Sequence, residues 1–231
     1  VRWDVFTSEW FKWREGEHVV TLGPTGSGKT VLNRELLKLA PIPWIVVFGV
    51  KRRDRELYGP FERQGYQRVR SFDPARMDPQ GEKVLFVPMT NLEGKEGREY
   101  KARAFRNALH AILRTGSVVV YFDDVIYVSR QLGLRTELDD IWALGRSEGI
   151  SVVASSQEPV NIPPIAYGSS SHLFIFKNPD MYRTRRIGEL TGFNRELAFE
   201  TVLRLPPHEF LYVHKDSGAM VRSKVIPTTA R

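Results

Sequence analysis

One short run constrains this chain more than any other: Gly23-Pro24-Thr25-Gly26-Ser27-Gly28-Lys29-Thr30, of the form G-x-x-x-x-G-K-[ST]. An apolar stretch, residues 18–22, leads into it, and residues 29–39 follow with helical spacing. Glycines let a backbone curl until consecutive N–H groups converge on one point, and a helix starting there adds the positive end of its dipole. Strand, curl and helix in that order make an anion cradle. The last two residues say which anion. Lys29 is a movable charge suited to the β- and γ-phosphates of a nucleotide, and Thr30 offers a hydroxyl to Mg²⁺.

The alternation of apolar run and amphipathic stretch continues along the chain. Strands are expected at 44–50, 83–87, 117–123, 150–156, 172–176, 209–214 and 219–226, and helices at 99–114, 134–148, 180–190 and 195–203. Several of the apolar runs are β-branched and unalternated, the pattern of strands buried on both faces of a parallel sheet. The last two strands meet across Asp216-Ser217-Gly218 and read as a hairpin. Residues 3–13 carry Trp3, Phe6, Trp10, Phe11 and Trp13 and read as a short helix packed on the main body. Residues 51–82 are polar and rich in Arg, Gly and Pro, and read as a surface excursion. A single α/β domain over residues 1–231 accommodates all of this, and 42% apolar residues suffice for a sizeable core. The chain has no cysteine, which removes disulfides, cysteine-ligated zinc and a cysteine nucleophile. No apolar run approaches the roughly 18 residues of a membrane-crossing helix, and nothing at the start reads as a signal peptide.

Two further strand ends carry polar residues of the right kind. Residues 117–122 run into Asp123-Asp124. Beside a phosphate cradle, a carboxylate at the end of a buried strand holds the Mg²⁺ shell, which assigns that role to Asp123 and the polarising of an attacking water to Asp124. Simple turn formation is the competing explanation for the pair. Gln157 follows the apolar run 150–156 and is placed to meet a γ-phosphate or its water; alone, such a Gln is only a loop residue.

Taken together, the G-P-T-G-S-G-K-T loop, the Asp123-Asp124 strand end and the run containing Arg146, Gly149, Ile150, Gln157 and Pro159 resemble the HerA–FtsK superfamily of DNA-pumping ATPases, whose third motif reads R-x-x-G-I, apolar strand, Q-x-P. The similarity spans most of residues 16–215 and includes Arg185 at another arginine position of the family. It implies a P-loop NTPase domain with a RecA-like (ASCE), mostly parallel sheet and a C-terminal hairpin, using ATP and Mg²⁺. One position departs from the pattern: strand-translocating members usually have Glu where this chain has Asp124. At 231 residues the chain is similar to the minimal members, the genome-packaging ATPases of tailless double-stranded DNA viruses. That implies a homo-oligomeric ring, commonly a hexamer, and double-stranded DNA as partner. It also implies a capsid or portal-vertex protein alongside, and a location in the host cytoplasm or at the packaging vertex. A cellular or conjugative translocase domain, located in the cytoplasm, is the alternative. A filamentous-phage assembly ATPase, a small-molecule kinase and a non-enzymatic nucleotide switch stand behind it.

A ring completes each site with a neighbour's arginine, and the resemblance makes Arg146 the first candidate and Arg185 the second; a solvated helix arginine is the plain alternative for both. The chain carries 34 Lys and Arg against 27 Asp and Glu, a net +7. The run Lys51, Arg52, Arg53 and Arg55 just past a strand end is a candidate DNA contact, or a solvated charged loop. The segment with Arg130 and Arg135 is a second possible pore loop. The five histidines show no metal-ligand spacing and read as structural or surface residues. Asp139-Asp140 reads as a solvated helix face.

Overall fold

The computed structural model describes residues 1–74, 81–157, 162–180, 182, 184–185, 191 and 194–226. Pro159 of the third motif and most of the expected helix 180–190 lie outside them. Nine strands form one sheet in the order β3-β4-β2-β5-β6-β1-β7-β8-β9. They are β1 His18–Leu22, β2 Ile45–Phe48, β3 Gln67–Val69, β4 Lys83–Phe86, β5 Val119–Phe122, β6 Ser151–Ser156, β7 Ser170–Phe176, β8 Glu209–His214 and β9 Ala219–Lys224. Strands β3 to β7 pair in parallel, and β7, β8 and β9 pair antiparallel. The expected hairpin is β8–β9, with His214 opposite Ala219 across the turn.

Burial explains the unalternated apolar runs. Every residue of β1, β2, β5, β6 and β7 is buried, which requires cover on both faces of the sheet. The described helices that flank it include α2 Lys29–Leu37, α3 Arg55–Arg63, α4 Gly94–Thr115, α5 Arg135–Leu144 and α6 Pro164–Ser169, followed by Arg195–Leu203. The N-terminal segment is a short helix, α1 Trp3–Val5, running into a π-type turn, Phe6–Trp10. Phe6 is fully buried and meets Phe174, Phe210 and Tyr212 edge-on, at ring separations of 6.0, 5.4 and 5.1 Å. These aromatics are core, covering β7 and β8.

The stretch 51–82 is more than a surface excursion. Asp54 caps α3 by accepting the Leu57 N–H at 2.9 Å, and α3 buries Leu57, Tyr58 and Phe61 against the sheet. Residues 67–69 then add β3 as an edge strand beside β4. The aromatic hydroxyl of Tyr58 donates to the Lys51 carbonyl at 2.6 Å and accepts the Lys51 N–H at 3.1 Å, so the start of the basic run is clamped to the core.

In an open parallel sheet, ligands bind at the carboxyl ends of the strands where the topology switches direction. Here β1 is flanked by β6 on one side and β7 on the other, with β5 next to β6. The loops after β1, β5 and β6 therefore meet along one edge, and they carry the three motifs.

Candidate nucleotide site

The phosphate loop takes the curl its glycines allow. Gly26 and Gly28 stand at φ +77° and +108°, conformations that side-chain-bearing residues rarely adopt, and Gly28 is the N-cap of α2. The loop is tied to β6 by the Gly23 N–H donating to the Ser156 carbonyl at 3.2 Å. Lys29 is almost fully buried and donates to the Gly23 and Pro24 carbonyls at 2.7 and 2.8 Å. Burial pulls its ammonium below the usual lysine range, while the Asp123 and Asp124 carboxylates nearby pull it back up. The cation sits at the mouth of the cradle beside two acids.

Thr30 and Asp123 are brought together, the Thr30 hydroxyl donating to Asp123 Oδ1 at 2.9 Å. That pair of hard oxygens at the end of β5 fits Mg²⁺, which takes one or two protein oxygens and completes its shell with phosphates and water. Behind Asp123 lies a network that sequence alone did not disclose. The Tyr121 hydroxyl donates to the same Asp123 oxygen. Asn33 Nδ2 reaches Tyr121 Oη at 3.5 Å, and Thr21 donates to Asn33 Oδ1 at 2.6 Å. Ser155 Oγ holds the Asp123 backbone carbonyl. Tyr121 is fully buried, and burial together with the Asp123 charge holds its phenol protonated far above its ordinary range, so it remains a donor. Thr21 comes from β1, Asn33 from α2 and Ser155 from β6; only the folded sheet brings them to the acid on β5.

Asp124 is half-buried and accepts the Tyr127 N–H on Oδ1 at 3.1 Å. The turn explanation for the acidic pair is thus realised in part: one oxygen of Asp124 starts the turn that runs into Tyr127–Gln131. Gln157 comes to the loop at the end of β6, its Oε1 accepting the Thr25 hydroxyl at 2.9 Å. Gly149, in the same motif, stands at φ +69°, and a Cβ there would lie 2.3 Å from a Glu15 carboxylate oxygen. The Glu15 side chain can move aside, so the positive φ is the physical reason for glycine in this turn.

One neighbour of the loop had no signal in the sequence beyond two preceding prolines. His208, between the helix Arg195–Leu203 and β8, sits at φ +63°, a costly conformation for a non-glycine residue. It places its Nδ1 3.3 Å from the Ser27 carbonyl, and with Phe176 it walls Gly28.

The arginines divide. Arg146 lies in the turn before β6, at the amino edge of the sheet, where its backbone abuts Gly16. β6 has six residues, so at about 3.3 Å per residue Arg146 is roughly 20 Å from its own phosphate loop. It cannot touch a nucleotide held by its own chain. Arg185 is exposed and follows the carboxyl end of β7. Lys51, Arg52, Arg53 and Arg55 are exposed past the end of β2, on the same edge as the phosphate loop. Lys51 pairs with Asp54 at 3.0 Å, and Arg68 donates to the Arg52 carbonyl at 2.9 Å while stacking over Tyr58 at 4.9 Å. The basic run is therefore a built loop.

No family model matches the chain, and no curated protein matches it. Solved structures do. The genome-packaging NTPase B204 of Sulfolobus turreted icosahedral virus 2, in complex with AMPPCP, aligns with a TM-score of 0.64 at 20% identity, over 91% of this chain and 98% of that one. VirB4 of Thermoanaerobacter pseudethanolicus aligns at 0.63 and 10% identity, over 92% of this chain and 90% of that one. The pCW3 conjugation coupling protein TcpA, with ATPγS, aligns at 0.55 and 15% identity, over 90% of this chain and 59% of that one. At such identities the likeness is one of fold. This chain has the P-loop NTPase fold.

Proposed function

We propose that this chain is an ATP-hydrolysing motor that moves double-stranded DNA, and that it serves as the packaging ATPase of a virus. The observation that carries this is the convergence of Lys29, Thr30, Asp123 and Gln157 on one sheet edge, in a fold shared with a packaging NTPase over 98% of that protein's chain. ATP lays its phosphates on the N–H groups of the 23–30 loop, and Lys29 leaves the Gly23 and Pro24 carbonyls for the β- and γ-phosphates. Thr30 and Asp123 hold Mg²⁺, which neutralises phosphate charge when bound. Water attacks the γ-phosphorus as the bond to the β–γ bridging oxygen breaks. Asp124 takes the water's proton on the oxygen that Tyr127 does not occupy. Gln157 exchanges Thr25 for the γ-phosphate or its water, so β6 responds to hydrolysis.

Asp124→Asn separates binding from chemistry, because the Asn Oδ1 still accepts the Tyr127 N–H and keeps the turn. ATP affinity should stay within about twofold while turnover falls about 10²–10⁴-fold. Full turnover in this variant would remove Asp124 as the base.

In a ring, the amino edge of one copy faces the phosphate-loop edge of the next, and Arg146 completes its neighbour's site, with Arg185 the second candidate. Arg146→Ala and Lys29→Ala chains are each inactive alone, but mixed rings regain activity at sites where an intact loop meets an intact Arg146. Mixtures that stay inactive would contradict the trans role. Lys51, Arg52, Arg53 and Arg55 grip DNA phosphates without regard to sequence. Capsid or portal contact, in the host cytoplasm or at the packaging vertex, goes with this reading. The likeness to TcpA and VirB4 supports a second one, a conjugative or secretion-type motor domain; packaging of DNA into a preformed shell by the purified chain distinguishes the two.

A further inference from the structure

Glu17, His172 and His214 are far apart in sequence, yet they meet at the amino edge of the sheet, beyond the start of β1 and opposite the phosphate loop. One ligand atom from each lies within 4.8 Å of the other two. Glu17 is buried just before β1, His172 is fully buried in β7, and His214 ends β8 half-buried. Glu17 Oε2 and His172 Nε2 are 3.1 Å apart, close to the spacing of two ligands that share a tetrahedral ion with bonds near 2.0–2.2 Å.

The supporting shell is built as well. His172 Nδ1 is 2.9 Å from the Tyr212 hydroxyl, so the ring is oriented with Nε2 toward Glu17. Glu17 Oε2 also accepts the Arg14 N–H at 2.8 Å. His214 Nδ1 lies 2.9 Å from the Ser217 hydroxyl and 3.3 Å from the Ser217 N–H; an ion on Nε2 requires the tautomer in which Nδ1–H donates to that hydroxyl and the longer Ser217 N–H contact is given up. The cluster opens on a cavity of about 370 Å³ lined by Trp10, Arg146, His214, Asp216 and Ser217 among others, room for water to complete a coordination shell.

We infer that Glu17, His172 and His214 form a structural site for one divalent cation of the Zn²⁺ class, separate from the Mg²⁺ of the nucleotide site. The donor set is two imidazoles and one carboxylate, which suits a borderline cation and not Mg²⁺, a cation that prefers an all-oxygen shell. Bound there, the ion ties the approach to β1 to β7 and β8, closing long chain loops at the sheet end where Phe11 packs on His172 and Arg146 lies.

Co²⁺ is the probe, because its visible d–d absorption reports imidazole ligation and low coordination number. The chelator-stripped chain should bind one Co²⁺ with such a spectrum, and Zn²⁺ should displace it. Asp123→Asn, which damages the nucleotide-site cation, should leave this binding intact. His214→Ala, at a half-buried position at the end of β8, should weaken it by about 100-fold or more and cancel the rise in Tm that Zn²⁺ gives the parent chain. Three results would each overturn the assignment: no Co²⁺ binding by the parent chain, equal binding by parent and His214→Ala, or binding lost only in Asp123→Asn.

Discussion

At the residue scale, Asp123, the acid proposed to hold the metal of the nucleotide site, depends on its neighbours' hydrogen bonds. Asp123 Oδ1 takes both the Thr30 and the Tyr121 hydroxyls, and Tyr121 is in turn held by Asn33. Tyr121→Phe removes one donor and leaves the ring in place. The Mg²⁺ concentration needed for half-maximal ATPase should rise roughly tenfold, as for the loss of an outer-shell partner, with a stability change of only about 1 kcal/mol. An unchanged Mg²⁺ dependence would show that Thr30 and Ser155 hold the acid unaided. The difference between Tyr121 and Asp123 also shows what a sequence displays. Lys29 and Thr30 are legible because they close a strong motif, and Asp123 and Gln157 because each stands just past an apolar run. Tyr121 looks like one more strand aromatic until β5, β6, β1 and α2 are assembled around it. Glu17, His172 and His214 have no local signature at all.

At the element scale, β1 begins on a residue that couples the sheet to pH. His18 is fully buried, its Nδ1 accepts the Val152 N–H at 3.1 Å, and its ring meets Trp142 edge-on at 4.9 Å. Burial, helped by the nearby Arg146 charge, pushes its pKa down from 6.5 to about 4. Above pH 6.5 the imidazole is neutral in both folded and unfolded chains and stability is unaffected. Between 6.5 and 4 the unfolded chain gains a proton that the folded chain refuses, so stability is lost as pH falls, by about 3 kcal/mol in all. His172 is also buried with a lowered pKa and adds loss in the same direction. Urea unfolding at pH 7 and pH 4.5 measures the drop. His18→Asn, whose Oδ1 still accepts the Val152 N–H, should remove most of it; an equal drop in both chains would place the sensitivity elsewhere. The elements themselves were legible in proportion to their burial. β1, β8 and the helix Arg195–Leu203 begin and end where periodicity places them, because their apolar residues are the core. α3 and β3 were not, because Gly59 and Pro60 interrupt one and two of the three residues of the other are exposed. Only packing against β4 makes them regular.

At the scale of the whole molecule, the two edges of the sheet have different content. The carboxyl edge gathers the phosphate loop, both acids, Gln157 and the basic run 51–55. The amino edge gathers Arg146 and the Glu17–His172–His214 cluster, with Phe11 against His172. On the proposed reading, with Arg146 completing a neighbour's site, copies associate head to tail, an arrangement that gives a ring when the rotation closes, and the +7 charge suits a polyanionic partner. The most direct measurement of this account is the ATPase rate of the purified chain with and without double-stranded DNA, across a salt series and with solution mass recorded alongside. DNA of any sequence should raise the rate of an oligomer, the stimulation should fall steeply with salt, and reversing the charges of Arg52 and Arg53 should flatten that salt dependence. An ATPase rate that double-stranded DNA leaves unchanged at every salt concentration, in a chain that stays monomeric, would contradict it.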